Sequence, residues 1–420
     1  MMDQRQPIRA GKGRKPVFWS LVVILLGVGS VASEWSAHFQ VRGQEPPPEV
    51  RLIFPPEPKH NHASCVIETA EGDLVVAWYS GSGERRADDV VIQGASLARG
   101  STEWGPRFVL ADTPGYPDCN PVLFAAPDGA IWLFWPTILD HRWEGALLKY
   151  AVTEPIANVT LRPWSWKTQG VFHITPQSEG FTAAIRQSLD LLSSEDKRRY
   201  EKELAPFEER SRDLLYQRLG WMPRVHVTVL PSGRWILPLY TDTFSVSLMA
   251  ISDDQGKTWT ASRPIAGFGN IQPSVVRRND GTLVALMRDN GPHRRILVSQ
   301  SSDEGMNWSP ASPTPLPNPG AGIEVIRLAS GSWALVYNDT TQGRHSLAVS
   351  LSEDEGETWK WTRHLEHREP AQGSFHYPSM IESRDGTIHV TYTRSLPGKG
   401  SSIAHARIDE NWIRQGDPPR

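Results

Sequence analysis

Three observations predict an all-β fold, a six-bladed β-propeller, for this chain of 420 residues. A strand–turn–strand unit recurs six times from Arg51 onward. A polar octet is written three times about fifty residues apart, as SDDQGKTW from Ser252, SSDEGMNW from Ser301 and SEDEGETW from Ser352. Seventeen Trp alternate with many Gly and Pro, as in a large β protein with many tight turns.

The first segment stands outside that fold. Arg5, Arg9, Lys12, Arg14 and Lys15 precede the apolar run VFWSLVVILLGVGSVA, which has small residues at Ser30 and Ala32. A basic flank, a short apolar core and small residues fit a secretory signal peptide over residues 1–33. The run is short for a membrane span of ~20 residues, although an uncleaved N-terminal membrane anchor is the other reading. Both place the remainder outside the cytoplasm, secreted or periplasmic. A linker over 34–48 then leads into the propeller, 49–420.

The hairpin turns are EGD (Gly72), PDG (Gly129), PSG (Gly233), NDG (Gly281), ASG (Gly331) and RDG (Gly386). Each is followed by a period-2 or apolar run such as LVVAWYS, IWLFWP or IHVTYT. A turn glycine between two such runs signals a hairpin, because glycine reaches positive φ without steric cost. A unit of roughly fifty residues is the size of a four-stranded blade. One interval, from Gly129 to Gly233, is doubled. Its excess has apolar positions recurring at three and four, Ser193 and Asp196 spaced as a capping box, and Pro206 suited to a first helical turn. Two or three helices are therefore expected between blades two and three, at about 176–219, as a decoration rather than a lid.

Each octet follows the third strand of its blade and so forms the turn into the fourth. Its Ser and Asp can bond nearby backbone N–H groups, its Gly permits positive φ, and its Trp can bury a ring between blades. A calcium loop would need many more oxygen ligands. The octets are structural.

A formal charge of −3 gives no basic footprint, so nucleic acid is not an expected partner. Cys65 and Cys119 allow one disulfide but no cysteine framework. No cofactor is expected. His60 and His62 alternate on a strand, but without Cys or carboxylate spacing they do not read as a metal site.

The octets follow S-x-D-x-G-x-T-W, with Asn307 alone standing where Thr is usual. On this pattern the chain resembles the sialidase (neuraminidase) superfamily, whose six-bladed propellers carry the motif as the Asp box, or BNR repeat. The resemblance runs from about His60 to the C-terminus. It implies an exo-α-sialidase-like glycoside hydrolase acting on a glycan with an acidic sugar. It also implies an arginine triad for the substrate carboxylate, a tyrosine nucleophile with a glutamate partner, and an acid/base carboxylate in a first-blade loop.

Carried over by position, the resemblance puts Tyr377 at the nucleophile and Arg288 and Arg344 in the triad. His62 stands where the first arginine would, and Gln272 where the glutamate would. Glu84 falls at the acid/base, with Asp88 and Asp89 just behind it, and Arg224 is a further carboxylate-binding candidate. Gln272 cannot take a proton as glutamate does, which leaves that task to His376 or His62, while a protonated His62 would be a third donor to the carboxylate. Two other readings stay open. The set Arg288, Arg344, His62, His376 and Tyr377 also suits a polysaccharide lyase acting on a uronate. A propeller that kept the clamp without turnover would be a glycan-binding protein.

Overall fold

The computed structural model describes residues 48–418, apart from 157–158, 160–163 and 177. The expected signal or anchor segment and nearly all of the linker lie outside the described residues. The described strands form six separate antiparallel sheets, the blades. Blade I comprises His60–Glu68, Leu74–Gly81, Val91–Leu97 and Phe108–Ala111, and blade II Val122–Ala125, Ile131–Ile138, Ala146–Thr153 and Trp166–Val171. In blade III the inner strand is split: Trp221–Pro223 and Thr228–Val229 both pair with Trp235–Thr241, followed by Val246–Ser252 and Thr260–Ala261. Blade IV comprises Asn270–Arg277, Leu283–Asp289, Arg295–Ser301 and Ser312–Pro317, and blade V Glu324–Arg327, Trp333–Tyr337, Ser346–Ser352 and Trp361–His367. Blade VI takes Ser374–Glu382, Ile388–Leu396 and Gly400–Ile408 from the end of the chain and Glu49–Leu52 from its beginning, with Glu49 opposite Arg407.

This topology sorts the loops. Successive antiparallel hairpins put the start of each first strand, the end of each second and the loop from second to third on one rim. The first-to-second hairpins and the third-to-fourth turns fall on the other. On that second rim all six hairpin glycines have φ between 82° and 97°.

The octet turns share one bonding pattern. In the first, Ser252 Oγ donates to Asp254 Oδ1 at 2.9 Å and accepts from the N–H of Gly256 at 2.8 Å. Asp254 accepts from the Thr258 N–H at 2.8 Å and its hydroxyl at 2.7 Å. These donors, the Thr258 hydroxyl first, pull the Asp254 carboxyl down to about 2. In the second octet Asn307 reproduces both threonine bonds, through its backbone N–H at 2.9 Å and its side-chain amide at 2.7 Å to Asp303. The substitution thus costs no bond. Trp259 packs its ring 5.1 Å from Phe172 of the second blade and 6.4 Å from Trp235 of the third. Burying such a ring contributes about 2 kcal/mol to the blade interface.

Among the described residues the insertion forms five helices rather than two or three: Ser178–Asp190, Ser194–Arg199, Glu201–Leu204, Phe207–Arg210 and Leu214–Arg218. After Asp190 the sequence restarts repeatedly. Ser193 accepts from the Asp196 N–H at 3.0 Å, Pro206 stands at the head of the fourth helix, and Asp213 accepts from the Leu215 N–H at 2.8 Å. Phe181 and Phe207 pack 5.1 and 5.7 Å from Phe244, in the loop from second to third strand of blade III. The helices therefore buttress the rim from outside. Cys65 and Cys119 are both buried free thiols.

Candidate active site

The inner strands of blades I, IV and VI share an irregularity that no sequence period reveals. Their register breaks between His62 and Cys65, between Ile271 and Ser274, and between His376 and Ser379. Within the breaks Ala63, Gln272 and Tyr377 have φ of 55°, 56° and 53°. A regular strand points its side chains at the two neighbouring blades. A bulge re-aims one, and here it swings Gln272 and Tyr377 toward the channel. A left-handed non-glycine residue costs about 1–3 kcal/mol and persists only where the surroundings fix it.

Tyr377 Oη accepts from Arg288 Nη1 at 2.7 Å and from Gln272 Nε2 at 3.0 Å. The same amide reaches the Tyr240 hydroxyl at 3.2 Å, and Asn120 reaches it at 3.3 Å. Arg288 Nη1 faces Gln272 Oε1 at 3.4 Å, which orients the amide with its NH2 toward the two phenols. Arg224 and Arg344 lie over the Tyr377 ring at 4.9 and 5.4 Å. Gly322 of blade V approaches underneath: a Cβ there would stand 3.2 Å from both Arg224 Nε and Gln272 Oε1. All six blades contribute side chains to the resulting cavity of about 270 Å³, from His62 and Glu84 on blade I to Tyr377 on blade VI. No described residue of the helical insertion lines it.

The match to the model of the BNR repeat-like domain spans residues 72–390. The chain belongs to this BNR-repeat family. No curated protein matches it significantly. Among solved structures the fold is shared with a protein of unknown function from Dyadobacter fermentans, at 17% identity, TM-score 0.62, and coverage of 86% of this chain and 98% of that one. It is shared with the NanB sialidase of Streptococcus pneumoniae at 11% identity, TM-score 0.64, covering 86% and 71%. The intramolecular trans-sialidase of Ruminococcus gnavus gives 12% identity, TM-score 0.63, covering 86% and 96%. What these structures share with the chain is the propeller fold.

Within this BNR-repeat propeller the residues singled out by sequence divide into two groups. Tyr377, Gln272, Arg288, Arg344, His62 and Glu84 come together in the cavity. Arg288 and Arg344 do not pair with the acids near them in sequence. Asp289 instead accepts from the backbone of Gly291 and Arg294, and Asp339 bonds His364 and Ser346. Arg224 is buried behind the Tyr377 ring and donates to the Pro378 carbonyl at 2.6 Å, so it supports the tyrosine rather than facing the cavity. Asp88 lies outside the cavity, paired with His141 of blade II at 2.6 Å across an exposed surface. Asp89 accepts from the Ser82 N–H and hydroxyl, a purely local turn.

His62 as a protonated third donor is overturned. Burial first, then the positive potential of His376, His60, Arg344 and Arg224, holds its imidazole well below the usual histidine range, so it is neutral. Its ring lies 4.2 Å from that of Tyr377, and its Nδ1 is 3.2 Å from the Thr393 hydroxyl. His376, 4.6 Å from His62 ring to ring, is pushed the same way by burial, Arg344, His60 and Arg224.

Sequence reasoning missed Asp242, Tyr240, Asn120 and Trp143, which also line the cavity. Asp242 and Trp143 sit in loops from second to third strand, which have no recurring motif. The one usable signal was topological, since every such loop ends on the same rim as Tyr377.

Proposed function

We propose that the protein is a sialidase-type glycosidase that removes a terminal acidic sugar from glycans outside the cytoplasm. The observation that carries this reading is the convergence on Tyr377: a phenol turned into a polar cavity by a φ of 53°, its oxygen held by Arg288 and Gln272. A sugar with a carboxylate on its anomeric carbon repels an anionic nucleophile, and a phenol avoids that repulsion. Arg288 and Arg344 offer forked N–H groups to the sugar carboxylate. The N–H donors on Tyr377 Oη are fixed before reaction and stabilise the phenolate as its proton leaves. Glu84 and Asp242 are the cavity carboxylates within the set able to protonate the leaving oxygen. Gln272 holds the phenol but cannot accept its proton.

A second reading, elimination from a uronate, is favoured by the neutral imidazoles of His62 and His376 beside Tyr377. These supply basic nitrogens without a carboxylate at position 272. Both readings are tested by incubating the protein with sialyl-tipped and uronate-tipped oligosaccharides and following products by mass and ultraviolet absorbance. Release of the acidic sugar with one water added is expected. An unsaturated, ultraviolet-absorbing product assigns elimination instead. Binding without either product leaves a glycan-binding protein and ends the catalytic reading.

A further inference from the structure

We propose that Asp242, rather than Glu84, delivers the proton to the leaving-group oxygen. The inference rests on the glycosidase reading above. Both carboxylates line the cavity, but they are held differently. Glu84 Oε1 accepts from the Tyr79 hydroxyl at 2.8 Å, and Oε2 accepts from Arg85 Nη1 at 3.0 Å. Each oxygen therefore already has a partner within the first blade.

No described residue hydrogen-bonds the Asp242 carboxylate, so its oxygens are available to carry a proton and give it up. Its place is nonetheless fixed. Asp242 directly follows the strand Trp235–Thr241, and two residues on, Phe244 is wedged between Phe181 and Phe207 of the inserted helices. A rigid loop end of this kind is what a proton donor needs. The charged groups around it are Arg288, Glu144, Arg85 and Glu84, with Tyr240 two residues before it on the same strand. Burial lifts its carboxyl above the ordinary aspartate range, Arg288 opposes that, and Glu144 and Glu84 add to it. Arg288, bonded to Tyr377, thus lies within electrostatic reach of both reacting groups.

The step balances as follows. Tyr377 Oη forms the bond to the anomeric carbon while its own proton passes to water at the cavity mouth. The bond to the leaving oxygen breaks, its electron pair stays on that oxygen, and the Asp242 proton neutralises it. Water then attacks the anomeric carbon, the Asp242 carboxylate takes the water's proton, and Tyr377 leaves and regains a proton from solvent.

The test uses the full chain and two glycosides of one acidic sugar, one with a nitrophenol as leaving group and one with a sugar alcohol. Asp242→Asn is expected to lower kcat/KM, which reads only the step that expels the leaving group, by about 10²–10⁴-fold on the sugar-alcohol glycoside and far less on the nitrophenyl glycoside. It should also abolish the alkaline fall of kcat/KM, which arises as the acid loses its proton. Asp242→Glu should keep the wild-type dependence on leaving group, and Glu84→Gln should lower both substrates alike. Selectivity for the alcohol substrate in Glu84→Gln, or equal losses on both substrates in Asp242→Asn, overturns the assignment and leaves the glycosidase reading standing. A wild type that binds both glycosides and cleaves neither overturns the two together.

Discussion

The two rims of the propeller are built on opposite rules. On the rim of the octets one solution is repeated: Ser252, Ser301 and Ser352 each donate to the aspartate two residues on, at 2.9, 2.8 and 2.7 Å. On the cavity rim no two blades contribute the same set of side chains. Blade I brings His62 and Glu84, blade III Tyr240 and Asp242, blade IV Gln272 and Arg288, and blade VI Tyr377. Repetition marks where the chain secures its blades, and departure from repetition marks where it can act on something else. Left-handed backbone occurs on both rims: the octet turns place it on Gln255, Glu304 and Glu355, and the cavity places it on Gln272 and Tyr377, where it turns the side chain inward.

The largest break in this contrast should come from Tyr377→Phe. Turnover is expected to fall by roughly 10³-fold or more, with glycan affinity and the thermal transition little changed. Unchanged turnover would remove Tyr377 from the mechanism. The corresponding cut on the other rim, Ser252→Ala, deletes the hydroxyl that accepts from Gly256 and should cost about 1 kcal/mol, read as a lower melting temperature at unaltered activity. A loss of activity there without a loss of stability would show that the rims are not independent.

Acid should separate the rims as well. His62 and His376 are held neutral, so below an ordinary histidine pKa of about 6.5 the unfolded chain binds more protons than the folded one, and their contribution to stability falls as pH drops. Asp254 works lower. Its folded pKa of about 2 lies below the ordinary ~3.9, so its contribution is complete above that value and is lost as pH falls toward 2. Melting curves of His376→Gln and Asp254→Asn against wild type should therefore converge with wild type in different windows, the histidine variant first. Convergence in a single window would contradict the assigned charge states. The smallest effect is expected from Asn307→Thr, within about 0.5 kcal/mol, because both side chains make the same bonds to Asp303.

The same contrast explains what could be read from the sequence. The six hairpin glycines and three octets were legible because each answers a local demand of the backbone, and local demands leave a period. Tyr377, Arg288, Arg344 and Gln272 could be placed because each lies at a fixed distance from a hairpin or octet. Asp242 and Trp143 could not, since their loops answer to no repeat and reach the cavity only through the ring's closure. Asp88 was misplaced for a related reason: it stands four residues after Glu84, but the loop turns it outward to His141. The neutrality of His62 depends first on its burial in the closed ring and then on His376, His60, Arg344 and Arg224, and no count along the chain supplies that.

Blade VI, which carries Tyr377, borrows its outer strand from Glu49–Leu52, so hydrogen bonds between remote stretches are what shut the circle. During synthesis on the ribosome, the earliest strand of the ring must wait for nearly the last before it has a partner. A nascent chain that has made five blades would therefore own every octet turn and still lack a binding pocket. The cavity would arrive late and all at once.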